Sequence, residues 1–95
     1  SSGFKPMVSV VFAAYNEESV IEEKIHSIFK SNYPSEKISV FIGSDASTDT
    51  TEIIVKHLQE DYPNLRLICF ENRTGKSGII NHLFENCKAE LVIGT

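Results

Sequence analysis

Cysteine is scarce in this chain: Cys69 and Cys87 are the two in 95 residues. Two are too few for a disulfide framework, and no C-x-x-C pair offers a redox or zinc site. Both fall in apolar patterns, so buried free thiols are expected, a usage that suits a reducing compartment. Basic charge is short as well, and the net charge is −4. With no basic cluster, this argues against nonspecific nucleic-acid binding. No apolar run approaches the roughly 18 residues of a membrane span. The N-terminus lacks a basic segment followed by a long apolar one, so no signal peptide is read. His26, His57 and His82 fall on three different predicted helices and form no metal-ligand spacing. Repeats, low-complexity segments and linkers are absent too. What is left is the composition of one globular domain with a small core. Residues 1–5 read as a tail, native or added, and residues 6–95 as the domain.

Three apolar runs carry the information. Val8-Ser-Val-Val-Phe-Ala-Ala-Tyr-Asn-Glu17 stops in a polar turn and becomes helical. Ile38–Ile42 breaks into Gly43-Ser-Asp-Ala-Ser-Thr-Asp49, and Leu65–Phe70 into Glu71-Asn-Arg-Thr-Gly-Lys76. A parallel α/β sheet brings such turns together at the carboxyl ends of its strands, where ligands bind.

The first strand is expected over about Met7–Ala13, nearly all apolar as if covered on both faces. A helix from about Glu17 to Lys30 follows, with Val20, Ile21, Ile25, Ile28 and Phe29 in one stripe. Asn16 is its expected N-cap, and Glu17 and Glu18 complement its dipole. Pro34 ends that segment. After the second strand Asp49 caps a helix, with Glu52 completing a capping-box pair. Ile53, Ile54 and Leu58 are expected to face the sheet. The third helix, about Ser77–Cys87, carries Ile79, Ile80, Leu83, Phe84 and Cys87 on one face, and Leu91–Gly94 begins a fourth strand. Strand–helix three times over, then a strand, predicts a three-layer open parallel sheet with right-handed crossovers. A chain that stops on a strand also reads as a piece of something longer.

Four motifs, Val8-Ser-Val-Val-Phe-Ala-Ala-Tyr-Asn-Glu17, Gly43-Ser-Asp-Ala-Ser-Thr-Asp49, Gly75-Lys-Ser-Gly-Ile-Ile-Asn81 and Glu90-Leu-Val-Ile-Gly-Thr95, stand in an order and spacing that resembles family 2 glycosyltransferases of the GT-A fold. The resemblance runs from about Pro6 to Thr95. It implies a Rossmann-like half-domain with strand order 3-2-1-4. The function it implies is binding of a nucleotide-sugar donor, a UDP-sugar before others. The whole enzyme would transfer the sugar, with inversion, to a saccharide or lipid-linked acceptor in polysaccharide or glycoconjugate synthesis. By the same resemblance Tyr15 packs on the base and Asp45 accepts a hydrogen bond from a base N–H. Glu17 contacts base or ribose, Lys76 approaches the diphosphate, and Arg73 is a second cation for it. Ala13 is counted by the same resemblance among the nucleotide-binding residues, although it stands where the family has Pro or Thr, and Ala46 stands where the family has Gly. The divalent cation that the family implies, Mg or Mn, has its Asp-x-Asp ligands beyond Thr95, as does the general base. No catalytic or metal residue is therefore assigned in this chain, which is expected to be inert alone. The Asn-Glu-Glu turn and Tyr33-Pro34 suggest the membrane-attached branch, with a cytoplasmic domain and membrane segments outside these residues. An uncovered fourth strand predicts self-association.

The same residues bear on other readings. Capping explains Asp49 fully, whereas Asp45 is left for a ligand. Gly75-Lys-Ser77 mimics a P-loop, but Phe70 stands where that loop needs its first glycine. A receiver-like signalling module needs acidic residues where Ala14-Tyr15-Asn16 and Glu71-Asn72-Arg73 stand. A nucleotidyltransferase needs a glycine-rich loop after the first strand. A noncatalytic α/β nucleotide-binding or domain-packing module stays open.

Overall fold

A computed structural model describes residues 5–86. Three parallel strands form its sheet, β1 (Val8–Ala14), β2 (Ile38–Ser44) and β3 (Leu65–Cys69), in the order β1-β2-β3. Between and after them run α1 (Ile21–Phe29), α2 (Thr51–Leu58) and α3 (Lys76–Asn86), with one 3-10 turn at Ser35–Lys37. The open α/β sheet and the expected order 3-2-1 are both present. The fourth strand, with its edge, and Cys87 lie outside the described residues.

Strand alternation sorts the core into two layers. Val10, Phe12 and Ala14 of β1, Val40 and Ile42 of β2, and Leu65 and Leu67 of β3 face α1 and α2. Ile21, Ile25 and Phe29 of α1 and Val55 and Leu58 of α2 close over them. Val11, Ala13, Phe41 and Ile68 point the other way, onto Ile79 and Leu83 of α3. Gly43 lets α3 approach: a Cβ there would stand 2.4 Å from Ile79 Cγ2.

Several expectations are corrected by this packing. Val20, Ile53 and Phe84 are exposed. In α2 the inward face is Thr51, Val55 and Leu58, at spacings of four and three, which turns Ile53 outward and leaves Ile54 half-buried. In α3 the same geometry buries Ile79 and Leu83 and leaves Ile80 half-covered. Cys69 is exposed, not buried; it sits at the last position of β3, beside Glu52 of α2. Burial of its sulfur and the neighbouring Glu52 carboxylate push its thiol pKa up. Glu52 thus turns to Cys69, and the N–H of Asp49 goes to Asn16 Oδ1 at 3.3 Å, so no capping box forms. Helix α1 starts four residues later than expected. The carbonyl of Glu17 accepts the N–H groups of Val20 and Ile21 in a turn, and Asn16 caps nothing in α1. Among the described residues no helix is long and apolar enough to cross a membrane.

Candidate functional site

Register brings the site together. Ala14 pairs with Ser44, and Ser44 with Cys69, so all three strands end level. The loops that follow emerge side by side on one edge of the sheet.

The first two loops are stitched by side chains. Asn16 takes a left-handed backbone, φ 47°, which asparagine tolerates better than most residues. Its N–H donates to Ser47 Oγ at 3.1 Å, and its Oδ1 accepts the N–H of Thr48 at 2.7 Å. The N–H of Glu17 donates to Thr51 Oγ1 at 2.8 Å. Asp49 serves both loops: Oδ1 accepts the N–H of Thr51 at 2.9 Å, and Oδ2 accepts the N–H of Glu18 at 3.2 Å. Burial pushes its carboxyl pKa up, but the Thr51 hydroxyl and the N–H groups of Thr51 and Glu18 outweigh that and hold it low. The N-cap of α2 is Thr50, not Asp49 as expected; Asp49, one residue earlier, bonds the first N–H of the helix and clamps the two loops. Asn16 was missed as a clamp because its partners are about thirty residues away in sequence.

Asp45 joins the second loop to the third. It is 4% exposed. Its Oδ1 accepts the N–H of Thr74 at 2.6 Å; its Oδ2 accepts that of Gly75 at 3.1 Å and meets Arg73 Nε at 3.2 Å. The Thr74 N–H does most to hold the carboxyl below the usual range. Burial opposes this, and Gly75 and Arg73 add to it. The next residue, Ala46, has φ 59°, the conformation that a glycine adopts freely. The turn is strained at the position where the family places that residue.

Ala13, Tyr15, Glu17, Asp45, Arg73 and Lys76 all line one cleft of about 340 Å³, a volume within the range of small-molecule sites. Phe12 and Lys24 line it too, Lys24 Nζ lying 4.1 Å from the Phe12 ring centroid. Neither was expected, since a helix lysine among acidic neighbours carries no motif. Tyr15 is 40% exposed. The guanidinium carbon of Arg73 lies 3.5 Å from its ring centroid, a cation–π contact. Lys76 opens α3, its charge next to a helix N-terminus. The cleft thus offers an aromatic face, a carboxylate acceptor and three cations. Among the described residues no group of three or more His, Cys, Asp or Glu is placed to hold a metal ion.

Known proteins resemble this chain in sequence and in fold. A β-monoglucosyldiacylglycerol synthase from Synechocystis is 33% identical over 89 residues, 92% of this chain and 19% of that protein. The glycosyltransferase AglE of Haloferax volcanii is 29% identical over 74% of this chain and 23% of its own length. A solved mannosyltransferase from Pyrobaculum calidifontis, in complex with GDP-mannose and Mn²⁺, superposes with a TM-score of 0.79 at 34% identity, covering 88% of this chain and 25% of that one. The chain thus spans about a fifth of the length of the curated relatives it matches most strongly. The profile of Glycosyl transferase family 2 matches residues 9–95, from the second residue of β1 onward. With the sheet order, the three level loops and these relatives in agreement, the chain belongs to glycosyl transferase family 2.

Proposed function

We propose that this chain is the donor-recognising half of a glycosyltransferase, and that the cleft above β1 and β2 binds the nucleoside diphosphate of a nucleotide sugar. One observation carries the reading: Tyr15, Asp45 and Lys76 line the same cleft. A nucleotide has three parts that need such partners, a flat base, a polar base edge and an anionic diphosphate. Tyr15 supplies a stacking face. Asp45 has roughly four lone-pair sites as a carboxylate, and Thr74, Gly75 and Arg73 fill three. The site that Arg73 fills accepts a base N–H once the guanidinium moves aside. Glu17 is assigned to base or ribose, with Ala13 beside it, and Lys76 and Arg73 to the diphosphate at the start of α3.

Uracil and guanine both present a ring N–H, so the Asp45 carboxylate suits either. UDP is the expectation from the motifs, and the GDP-mannose bound to the Pyrobaculum relative supports GDP as the second candidate. Transfer with inversion to a saccharide or lipid-linked acceptor is proposed for the whole enzyme. The glycolipid product named in the Synechocystis relative favours a lipid acceptor. The divalent cation, bound as Mn²⁺ in the Pyrobaculum relative, is assigned to carboxylates following Thr95. Residues 6–95 alone are proposed to bind donor without transferring its sugar. A cytoplasmic setting is proposed with them.

Calorimetric titration of the intact protein with UDP and GDP tests this, with Tyr15→Ala as control. Binding of one of them, weakened by about 1–3 kcal/mol in Tyr15→Ala, is expected. Equal affinity in the variant for the nucleotide that binds would remove the base from this cleft.

A further inference from the structure

The guanidinium of Arg73 occupies the space that a base would need. A base stacked on Tyr15 with its edge on Asp45 must lie over the ring and within hydrogen-bond reach of the carboxylate. Arg73 meets both conditions itself: its guanidinium carbon is 3.5 Å from the Tyr15 centroid, and its Nε is 3.2 Å from Asp45 Oδ2. A guanidinium is planar and offers N–H donors in its own plane, so it satisfies the pair much as a base does. Asp45 is buried, and its other hydrogen bonds are to backbone, from Thr74 and Gly75. Arg73 is 57% exposed on a loop, so of the partners Asp45 holds it is the one free to swing away.

We infer that Arg73 is a displaceable plug in the base slot, and that it makes the site selective for nucleoside diphosphates over nucleosides. This rests on the nucleotide reading above. A nucleoside must expel the guanidinium and gives it no new partner. A nucleoside diphosphate expels it and then offers phosphate oxygens near Lys76, a bidentate match for arginine. One side chain therefore penalises the base alone and rewards the base joined to phosphate. Selectivity arises before any sugar is read.

Calorimetry on the intact protein with uridine, guanosine, UDP and GDP separates the possibilities, using Arg73→Ala and Arg73→Lys. Lysine keeps the charge for the diphosphate and loses the flat face and forked donors. Both variants are expected to bind the matching nucleoside about two- to five-fold more tightly than the parent, the worth of an exposed cation–π contact. Arg73→Ala loses diphosphate affinity, and Arg73→Lys keeps most of it. Nucleoside affinity that is unchanged or weaker in both variants, while UDP or GDP still binds the parent, overturns the plug and leaves the nucleotide reading standing. Failure of parent and variants alike to bind any of the four overturns both.

Discussion

Asp45 Oδ1 accepts the backbone N–H of Thr74 at 2.6 Å, so the residue that follows β2 fixes the loop that leads into α3. The contact places Arg73 and Lys76 at the cleft, and it ties their position to one carboxylate's charge.

Acid should therefore open this loop. Asp45 has its folded pKa lowered from an ordinary 3.8, chiefly by the Thr74 N–H. A depressed carboxylate contributes stability above its unfolded pKa and loses it as pH falls through the folded value. The Asp45 carboxyl should titrate below 3.8 by carbon NMR, with the Thr74 and Gly75 amide signals moving in the same step. In Asp45→Asn that step should vanish. Amide signals that move near pH 4 or above would contradict the assignment.

Asn16 should matter through its side chain and not through its unusual backbone. Glycine also accepts a positive φ, so Asn16→Gly keeps the turn and removes the clamp to Thr48 and Asp49. A loss of about 0.5–1.5 kcal/mol is expected in denaturant unfolding, the net worth of such hydrogen bonds. Nucleotide affinity should fall with it, because the clamp sets Tyr15 against the second loop. Stability within a few tenths of a kcal/mol of the parent would mean that the contact does not hold the loops.

Ala46→Gly should stabilise the chain. Relief of the left-handed backbone gains about 1–2 kcal/mol, and the added freedom of the unfolded chain costs about 0.4–1 kcal/mol. A net gain of roughly 0.5–1 kcal/mol is expected from these two. The check is the midpoint of thermal unfolding, and a lower midpoint would show that the turn carries no strain.

Gly43→Ala should do the opposite. The new methyl meets Ile79 Cγ2 at 2.4 Å and Phe70 Cε1 at 3.2 Å, so α3 must shift away from β2. A cost of about 1–3 kcal/mol is expected for such overpacking. Lys76 moves with α3, so affinity for a nucleoside diphosphate should fall more than affinity for the nucleoside. Equal losses for both would detach Lys76 from the phosphate role.

Much of this arrangement was legible in the residues. Each of the three described strands lies within two residues of its expected bounds at either end, because apolar runs that stop in Gly, Asn and Asp turns mark strand ends well. The six cleft residues were named from their motifs, and they do line one cleft. Tertiary contacts explain what was missed. Helix α1 begins late because Asn16 serves a loop thirty residues away, which no local capping rule can register. Ile53 and Phe84 point outward because one helix position changes direction by about 100°. Arg73 was read as a phosphate cation, and its stacking on Tyr15 depends on a loop path that sequence does not encode in any short pattern.

The central claim is that one cleft holds one nucleotide, and an NMR titration of the labelled chain with UDP and with GDP, with and without Mg²⁺, tests it most directly. Shifts concentrated at Tyr15, Glu17, Asp45 and residues 73–76, and lost in Asp45→Ala, are the predicted result. Shifts elsewhere on the sheet, or unchanged in the variant, would contradict the account.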